Sequence, residues 1–279
     1  MVKTWLITGI SSGLGRKMTE ALLARGDCVA GTARRPAALD GLKSRFGDRL
    51  RVTALDVTDT SAVRQVVDEM FRALGRIDVV VSNAGYGLFG AAEEVGDEQI
   101  RHQLDTNLVG SIQVIRAALP HLRAQGGGRI LQVSSEGGQI AYPGFSVYHA
   151  TKWGIEGFVE AVSQEVAPFN IELTIVEPGP TATDFGKGLA RAPATPTYEN
   201  TRVGEIRRAW DSGRLSVRGD ADKTARAMID CADRSPAPRR LLLGSEAYER
   251  VQAALAARLS GLQAQKAIAE SADLEHIQS

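Results

Sequence analysis

Residues 8–15 read Thr8-Gly9-Ile10-Ser11-Ser12-Gly13-Leu14-Gly15, directly after the apolar run Trp5-Leu6-Ile7 and at the head of a segment with Leu14, Met18, Ala21 and Leu22 at helical spacing. Buried strand, glycine turn and helix start, in that order, are how a chain builds a phosphate cradle. The helix start offers unpaired N–H groups and partial positive charge, and glycine lets the backbone approach a pyrophosphate with no Cβ in the way. The glycines fall at positions 9, 13 and 15, which departs from the commonest G-x-G-x-x-G order. A glycine turn also joins strands to helices in proteins that bind nothing, so the nucleotide reading depends on the residues C-terminal to the loop.

Beyond it, a helix over residues 14–25 closes at Gly26, a residue suited to the left-handed position after a helix. Residues 28–33 form a second apolar run, ended by Arg34-Arg35-Pro36. At the end of such a strand an acidic residue would hold a ribose 2′-hydroxyl. Here Ala33 and two arginines stand instead, and a guanidinium suits a 2′-phosphate; the competing reading is a solvated arginine pair.

The rhythm continues with strands over residues 50–55, 77–81, 129–133 and 171–176, and helices over 61–74, 97–122 and 147–167. The run Ile77-Asp78-Val79-Val80-Val81 is β-branched enough for burial on both faces. In the long central helix Ile100, Leu104, Leu108, Ile112, Ile115 and Leu119 form one stripe, with a kink expected at Pro120. This alternation predicts an α/β, doubly wound parallel sheet of the Rossmann kind, with ligands beyond the carboxyl ends of its strands.

Residues 179–219 lose the pattern and read as a loop-rich substrate lid, within which Ile206 and Trp210 form the apolar side of one short helix. A helix over 221–231, a last strand over 241–244 and a terminal helix complete the chain, the last capped by Ser245 with Val251, Leu255, Leu259 and Leu262 on one face. No linker or repeat divides the chain. The expectation is one domain over residues 1–262, lid included, and a frayed tail over 263–279.

A chain of 279 residues with 43% hydrophobic residues can bury a sizeable core. Lys plus Arg and Asp plus Glu balance at 33 each, which removes any electrostatic case for nucleic acid or an anionic membrane surface. The first apolar run is too short for a signal peptide and no segment reaches the length of a membrane span. Cys28 and Cys231 make no disulfide framework, so the expectation is a cytoplasmic protein. His102, His121, His149 and His276 are scattered; each is expected at the surface, and no metal site is expected.

Tyr148 and Lys152 stand four apart on a predicted helix, on one face. An ammonium beside a phenol favours phenolate and should pull the tyrosine below its usual value of about 10, making it an acid and base near neutral pH. Ser135, just past the strand over 129–133, faces the same sheet edge, and Asn107 sits polar inside an amphipathic helix.

On these residues the chain resembles a short-chain dehydrogenase/reductase of the single-domain subgroup. The similar features run in order: the Thr-Gly-x-x-x-Gly-x-Gly loop at 8–15, an adenine-contacting acid at Asp56, Asn83-Ala84-Gly85, a helix asparagine at Asn107, Ser135, Tyr148-x-x-x-Lys152, and Pro178-Gly179 with Thr181 or Thr183 after it. Small departures are Ser82 for a second asparagine, Glu136 after the serine pair, and Thr151 for a serine before the lysine.

The resemblance implies hydride transfer between a nicotinamide and a carbonyl or alcohol, with NADPH preferred over NADH. Tyr148 would be general acid/base, Ser135 would hydrogen-bond the reacting oxygen, Lys152 would tune the tyrosine and hold the nicotinamide ribose, and Asn107 would anchor a water relay or satisfy a kink in its own helix. Cofactor-binding positions implied are Gly9, Ser11, Ser12, Gly13, Leu14 and Gly15, then Arg34 with Arg35 in reserve, Asp56 and Val57, Asn83, Ala84 and Gly85, Tyr148 and Lys152, and Pro178, Gly179, Thr181 and Thr183. The substrate pocket is expected from residues 86–89, 139–145 and the insert, with Tyr86, Leu88, Phe89, Ile140, Tyr142, Phe145, Phe185 and Trp210 suggesting an apolar small molecule and no arginine clamp. A homodimer or homotetramer is implied. The competing classes are a non-catalytic dinucleotide sensor and a sugar-nucleotide epimerase or dehydratase.

Overall fold

The computed structural model describes residues 2–186, 188–214 and 217–274. His276 and the last residues of the expected tail lie outside them. Strand β1 (Thr4–Thr8) runs into the glycine turn and helix α1 (Gly13–Arg25), which ends at Gly26 with φ of 99°, a conformation glycine adopts without a Cβ clash. Then come β2 (Cys28–Ala33), α2 (Asp40–Phe46), β3 (Leu50–Ala54), α3 (Thr60–Leu74) and β4 (Val79–Ser82). Asp59 caps α3 by accepting from the Ala62 N–H at 2.9 Å. The sequence pattern does not predict helix α2: its seven residues show a single buried position, Leu42, and so no periodic stripe.

After the short strand β5 (Leu88–Phe89), the long central helix divides into α4 (Asp97–Leu104) and α5 (Gly110–Ala124), joined by a π-helical turn, Asp105–Val109. The irregularity is therefore at Asn107, while Pro120 lies inside α5, which continues past it to Ala124. The remainder is β6 (Gly128–Val133), α6 (Ser146–Val166), β7 (Ile171–Pro178), β8 (Ala190–Arg191), α7 (Arg202–Asp211), α8 (Ala221–Ala232), β9 (Arg240–Leu243), α9 (Ser245–Ala264) and α10 (Lys266–Glu270).

Seven parallel strands make the main sheet, in the order β3-β2-β1-β4-β6-β7-β9. Alternation along β1 shows why both faces are covered. Trp5 and Ile7 pack with Met18, Leu22, Met228 and Ile229 under α1 and α8, while Leu6 packs with Val67, Ile115 and Ile155 under α3, α5 and α6. Burying each such side chain stabilises the fold by about 1.5–3 kcal/mol. Among the described residues no helix is long and apolar enough to cross a membrane.

The insert is more ordered than its composition suggests. Strand β8 pairs in parallel with β5, Leu88 opposite Ala190 and Phe89 opposite Arg191, and α7 carries Ile206 and Trp210 as expected. Glu94, with a fully buried side chain, ties the insert to the body. It accepts from Ala91 N–H at 2.8 Å, Thr195 N–H at 2.8 Å, the Thr195 hydroxyl at 3.0 Å and Arg207 of α7 at 2.6 Å. Four hydrogen bonds hold this carboxyl below the usual carboxylate range although burial opposes them. Two sequence expectations fail at the C-terminal end. Gly244, not Ser245, occupies the N-cap of α9, and no side chain caps it. Of the predicted stripe only Val251 is buried, Leu255, Leu259 and Leu262 being exposed.

The packing makes two outcomes measurable. Arg207→Met strands the buried Glu94 carboxylate, a change worth about 3–5 kcal/mol where no relaxation occurs, and limited proteolysis should cut residues 188–214 faster than in the wild type. A Cβ on Gly15 would sit 2.5 Å from both Asn83 Nδ2 and the Gly9 carbonyl oxygen; Gly15→Ala should therefore lower stability by about 1–3 kcal/mol in a urea melt.

Candidate active site

Beyond the carboxyl ends of the strands lies one large cleft of about 940 Å³, opening where the chain reverses direction across the sheet between β1 and β4. Its floor is the turn after β1. Gly9 turns with φ of 74°, and the Thr8 hydroxyl accepts from the N–H groups of Asn83 (2.9 Å) and Ala84 (3.0 Å). The Asn83 amide donates back to the carbonyls of Thr8 (2.8 Å) and Gly9 (3.3 Å). The loops after β1 and β4 are thus stitched edge to edge. Helix α1 begins here with no capping side chain and no acid in its first turn, so its N–H donors face the cleft uncompensated, as an anion site requires.

Toward β2 the cleft is lined by Arg34, Asp56, Val57, His102 and Thr106. Burial opposes ionisation of Asp56, yet its carboxyl is held below the usual range by the Thr58 N–H (3.0 Å) and hydroxyl (2.8 Å), with Arg34 and His102 adding positive charge. Thr106, on the π-helical turn, has a buried hydroxyl with no hydrogen-bond partner among the described residues. An anion cradle, an ionised acid with an arginine beside it, and an orphaned buried hydroxyl on one wall fit a dinucleotide. Arg35 does not reach the cleft; it is exposed at the start of a short 3₁₀ turn, Pro36–Leu39. Gly15 is also outside, serving the close packing against Asn83.

At the other end Ser135, Tyr148, Lys152, Pro178, Gly179, Thr181 and Thr183 share the cleft. The Ser135 hydroxyl shares the cleft with the Tyr148 phenol, whose proton affinity it lowers, and accepts from the Gly137 N–H at 3.1 Å. The Lys152 ammonium lies 5.5 Å from the Tyr148 ring centroid and donates to the Val133 carbonyl at 3.1 Å. The expected direction of the tyrosine's shift is reversed. Burial pushes the phenol up to about 12, with Ser135 opposing and Glu136 reinforcing. The lysine, equally buried, falls to about 8 despite Glu156.

The loop that carries Ser135 is anchored on all sides. The Ser134 hydroxyl donates to Glu156 at 2.6 Å, Gln139 donates to Glu177 at 2.5 Å, and Arg250 of α9 donates to Glu136 with bonds of 2.9–3.1 Å. His149 is buried, contrary to the expectation of a surface residue. Its Nε2 accepts from Tyr142 N–H at 3.2 Å, which leaves Nδ1 to donate to the Gly137 carbonyl at 2.8 Å. These bonds call for the neutral ring, and burial lowers its pKa accordingly.

Asn107 is buried and does not line the cleft. Its amide brackets Tyr86, accepting from the N–H at 3.0 Å and donating to the carbonyl at 2.8 Å. The side chain therefore fixes the loop after β4 and does not repair its own helix. On the substrate side Tyr142, Phe145, Phe185 and Trp210 line the cleft, whereas Phe89 belongs to the core beneath Phe145 and Leu88 and Ile140 lie outside the lining. Sequence reasoning missed Thr106, Glu136, Arg202, Glu246 and Arg250 on the cleft wall. Only the position of Thr106 beside the polar Asn107 and the unusual acid after Ser135 gave a signal.

The family model for short chain dehydrogenase matches residues 3–194. Over 250 residues the chain is 40% identical to Oxidoreductase BOA17 of Botryotinia fuckeliana (strain B05.10), covering 89% of this chain and 91% of that protein. It is 30% identical over 207 residues, 72% of each chain, to the NADPH-dependent 3-dehydrocapnine reductase of Ornithobacterium rhinotracheale. A crystal structure of a short-chain dehydrogenase from Streptomyces avermitilis superposes with a TM-score of 0.91 at 38% identity, covering 98% of this chain and 100% of that one. With its seven-stranded parallel sheet and its cleft bearing Ser135, Tyr148 and Lys152, this chain belongs to the short-chain dehydrogenase family and is an oxidoreductase of the CH–OH/carbonyl type.

Proposed function

We propose that the chain is an NADPH-dependent carbonyl reductase acting on an apolar ketone or aldehyde. The observation that carries this reading is that Ser135, Tyr148 and Lys152 share one cleft of about 940 Å³ with the glycine turn after β1, Arg34 and Asp56. When bound, the cofactor supplies the hydride. The uncapped start of α1 would hold its pyrophosphate, Arg34 would take a 2′-phosphate, and Asp56 with Val57 would receive the adenine.

The chain's own groups handle the proton and the charge. As negative charge develops on the carbonyl oxygen, Tyr148 gives it a proton and the Ser135 hydroxyl hydrogen-bonds it. Lys152 holds the nicotinamide ribose and faces the phenolate as it forms. Asn107 positions the loop after β4, a role that supports the site from behind. Tyr142, Phe145, Phe185 and Trp210 exclude water from the reacting end, with residues 179–219 as a lid over it. The aromatic wall favours an apolar substrate, in keeping with a relative named for reducing a 3-dehydro compound. We place the enzyme in the cytoplasm as a homodimer or homotetramer, with α6 and its exposed Trp153 in the interface.

Tyr148→Phe should lower kcat for NADPH-linked ketone reduction by on the order of 10²–10⁴ while leaving NADPH binding, read by fluorescence, near normal. The sign of the pH dependence comes from the raised phenol pKa. The protonated form needed for reduction persists through neutral pH, and the phenolate needed for alcohol oxidation increases with pH up to about 12. Oxidation should therefore accelerate from pH 7 to 10 with no parallel fall in reduction. Arg34→Ala should raise KM for NADPH about tenfold to a hundredfold, the worth of a charge-assisted hydrogen bond, and leave NADH unaffected. Arg35→Ala should change neither.

A further inference from the structure

Glu136 is an unusual neighbour for a reacting serine. Its side chain is 2% exposed, it lines the cleft beside Ser135 and Tyr148, and three hydrogen bonds fasten it to Arg250. Arg250 comes from α9, more than a hundred residues away from Ser135 and Tyr148. The same helix touches the opposite wall, since a Cβ on Gly179 would lie 2.8 Å from the Ala247 methyl, and the strand that leads into it is bonded there too, the Gly179 N–H donating to the carbonyl of Leu243 at the end of β9 at 2.8 Å. Helix α9 therefore packs against both loops that flank the reacting end, the one carrying Ser135 and the one beginning Pro178-Gly179.

We infer that Arg250 and Glu136 are positioning residues of the acid–base site: the pair neutralises a buried carboxylate facing the Tyr148 phenol, and so couples the seating of the C-terminal helix to the proton affinity of the reacting tyrosine. This inference rests on the reading of Tyr148 as the proton donor.

The electrostatic surroundings support it. Facing Glu136 from α9 are Arg250 and Glu246. Glu246 is itself paired with Arg218 at 3.3 Å and Arg250 at 3.6 Å. From α6 and the loop before it come Tyr148, Tyr142 and His149, the last neutral. Two carboxylates and two guanidiniums thus balance. Glu136 acts on both phenols in the direction that retains their protons, and Arg250 opposes it at Tyr142. Burial also raises the Glu136 carboxyl itself, and Arg250 restrains that rise. Removing Arg250 leaves the buried carboxylate unpaired on the cleft wall, whereas removing Glu136 takes that charge away and leaves a guanidinium that is itself partly exposed; a charge within reach of a titrating group moves it by about a unit or more.

The two single variants must therefore shift the tyrosine in opposite directions. In Arg250→Met the carboxylate, ionised across the alkaline range, raises the Tyr148 pKa. In Glu136→Gln the carboxylate that raises it is gone, and it falls. The double variant falls between them. Tyrosinate absorbance at 295 nm, followed from pH 9 to 12.5 across the value of about 12 that the buried phenol takes and corrected with Tyr148→Phe in each background, reads this without any substrate. Tryptophan fluorescence reports whether each variant remains folded over that interval. The NADP⁺-linked oxidation of a secondary alcohol, such as cyclohexanol, should show the same ordering in the alkaline rise of kcat, with Glu136→Gln reaching a given rate about one pH unit earlier than wild type. Shifts of the same sign, or none, in folded single variants would overturn the coupling and reduce the pair to a structural tie. Failure of the wild type to oxidise any alcohol or reduce any ketone would instead count against the reductase reading, while the absorbance ordering would still test the charge coupling on its own.

Discussion

The reciprocal bonding of Thr8 and Asn83 is the constraint on which the site depends. Parallel strands place their carboxyl ends at one edge, but neighbouring loops at that edge would ordinarily pack together and fill it. Here the Thr8 hydroxyl accepts two N–H groups from the loop after β4, and the Asn83 amide returns two bonds to the turn after β1. The loops are satisfied by one another at a fixed separation. The N–H groups of the first turn of α1 are left pointing outward, with neither an acidic side chain nor a cap to answer them. An anion is then the natural complement of the cradle, and the rest of the cleft extends from that point along the sheet edge.

Much of this was legible in the sequence because it is periodic or local. The strand runs, the stripe from Ile100 to Leu119, the glycine turn and Gly26 each declare themselves within a few residues, and the parallel order comes from their alternation. What escaped depends on partners distant in the chain. Glu94 follows Glu93 with nothing in the neighbouring residues to set it apart, and its burial comes from Thr195 and Arg207, about a hundred residues away. His149 reads as a surface histidine because its two partners, Gly137 and Tyr142, are backbone groups of a loop whose path no side-chain pattern discloses. The π-helical turn at Asp105–Val109 keeps an apolar stripe almost in phase, so the eye passes over it. Leu255, Leu259 and Leu262 show the reverse error: helical spacing alone does not say that a face is covered.

The loop between β6 and α6 shows how buried polar groups can give a reacting residue one position. Behind Ser135, Glu156 and Glu177 are buried, and Arg240 pairs with both and with Glu160. One guanidinium among three carboxylates is an expensive arrangement unless other donors contribute, and here Ser134 and Gln139 do so. Even so, burial and the neighbouring Glu156 keep the Glu177 carboxyl above its usual range. A Cβ on Gly138 would overlap Glu156, so the loop backbone is pressed directly against that carboxylate. A network satisfied from so many directions has few alternative arrangements, which suits the role proposed for the Ser135 hydroxyl, to meet a developing charge without reorganising.

The same desolvation explains why the tyrosine and lysine do not behave as an isolated helical pair. Their attraction would be realised by phenolate facing ammonium, but both charged forms are penalised by burial, and the penalties act together. The phenol rises to about 12 and the ammonium falls to about 8. Between those values the order of proton affinities keeps the proton on tyrosine, the state that its proposed role as donor calls for. In the proposed reduction, the charge that appears on the phenol as it releases its proton meets the ammonium that lies 5.5 Å from the ring. The favourable interaction is thereby largest while charge is developing and small in the resting enzyme. That is the condition under which a charged neighbour accelerates a step instead of merely stabilising its starting state.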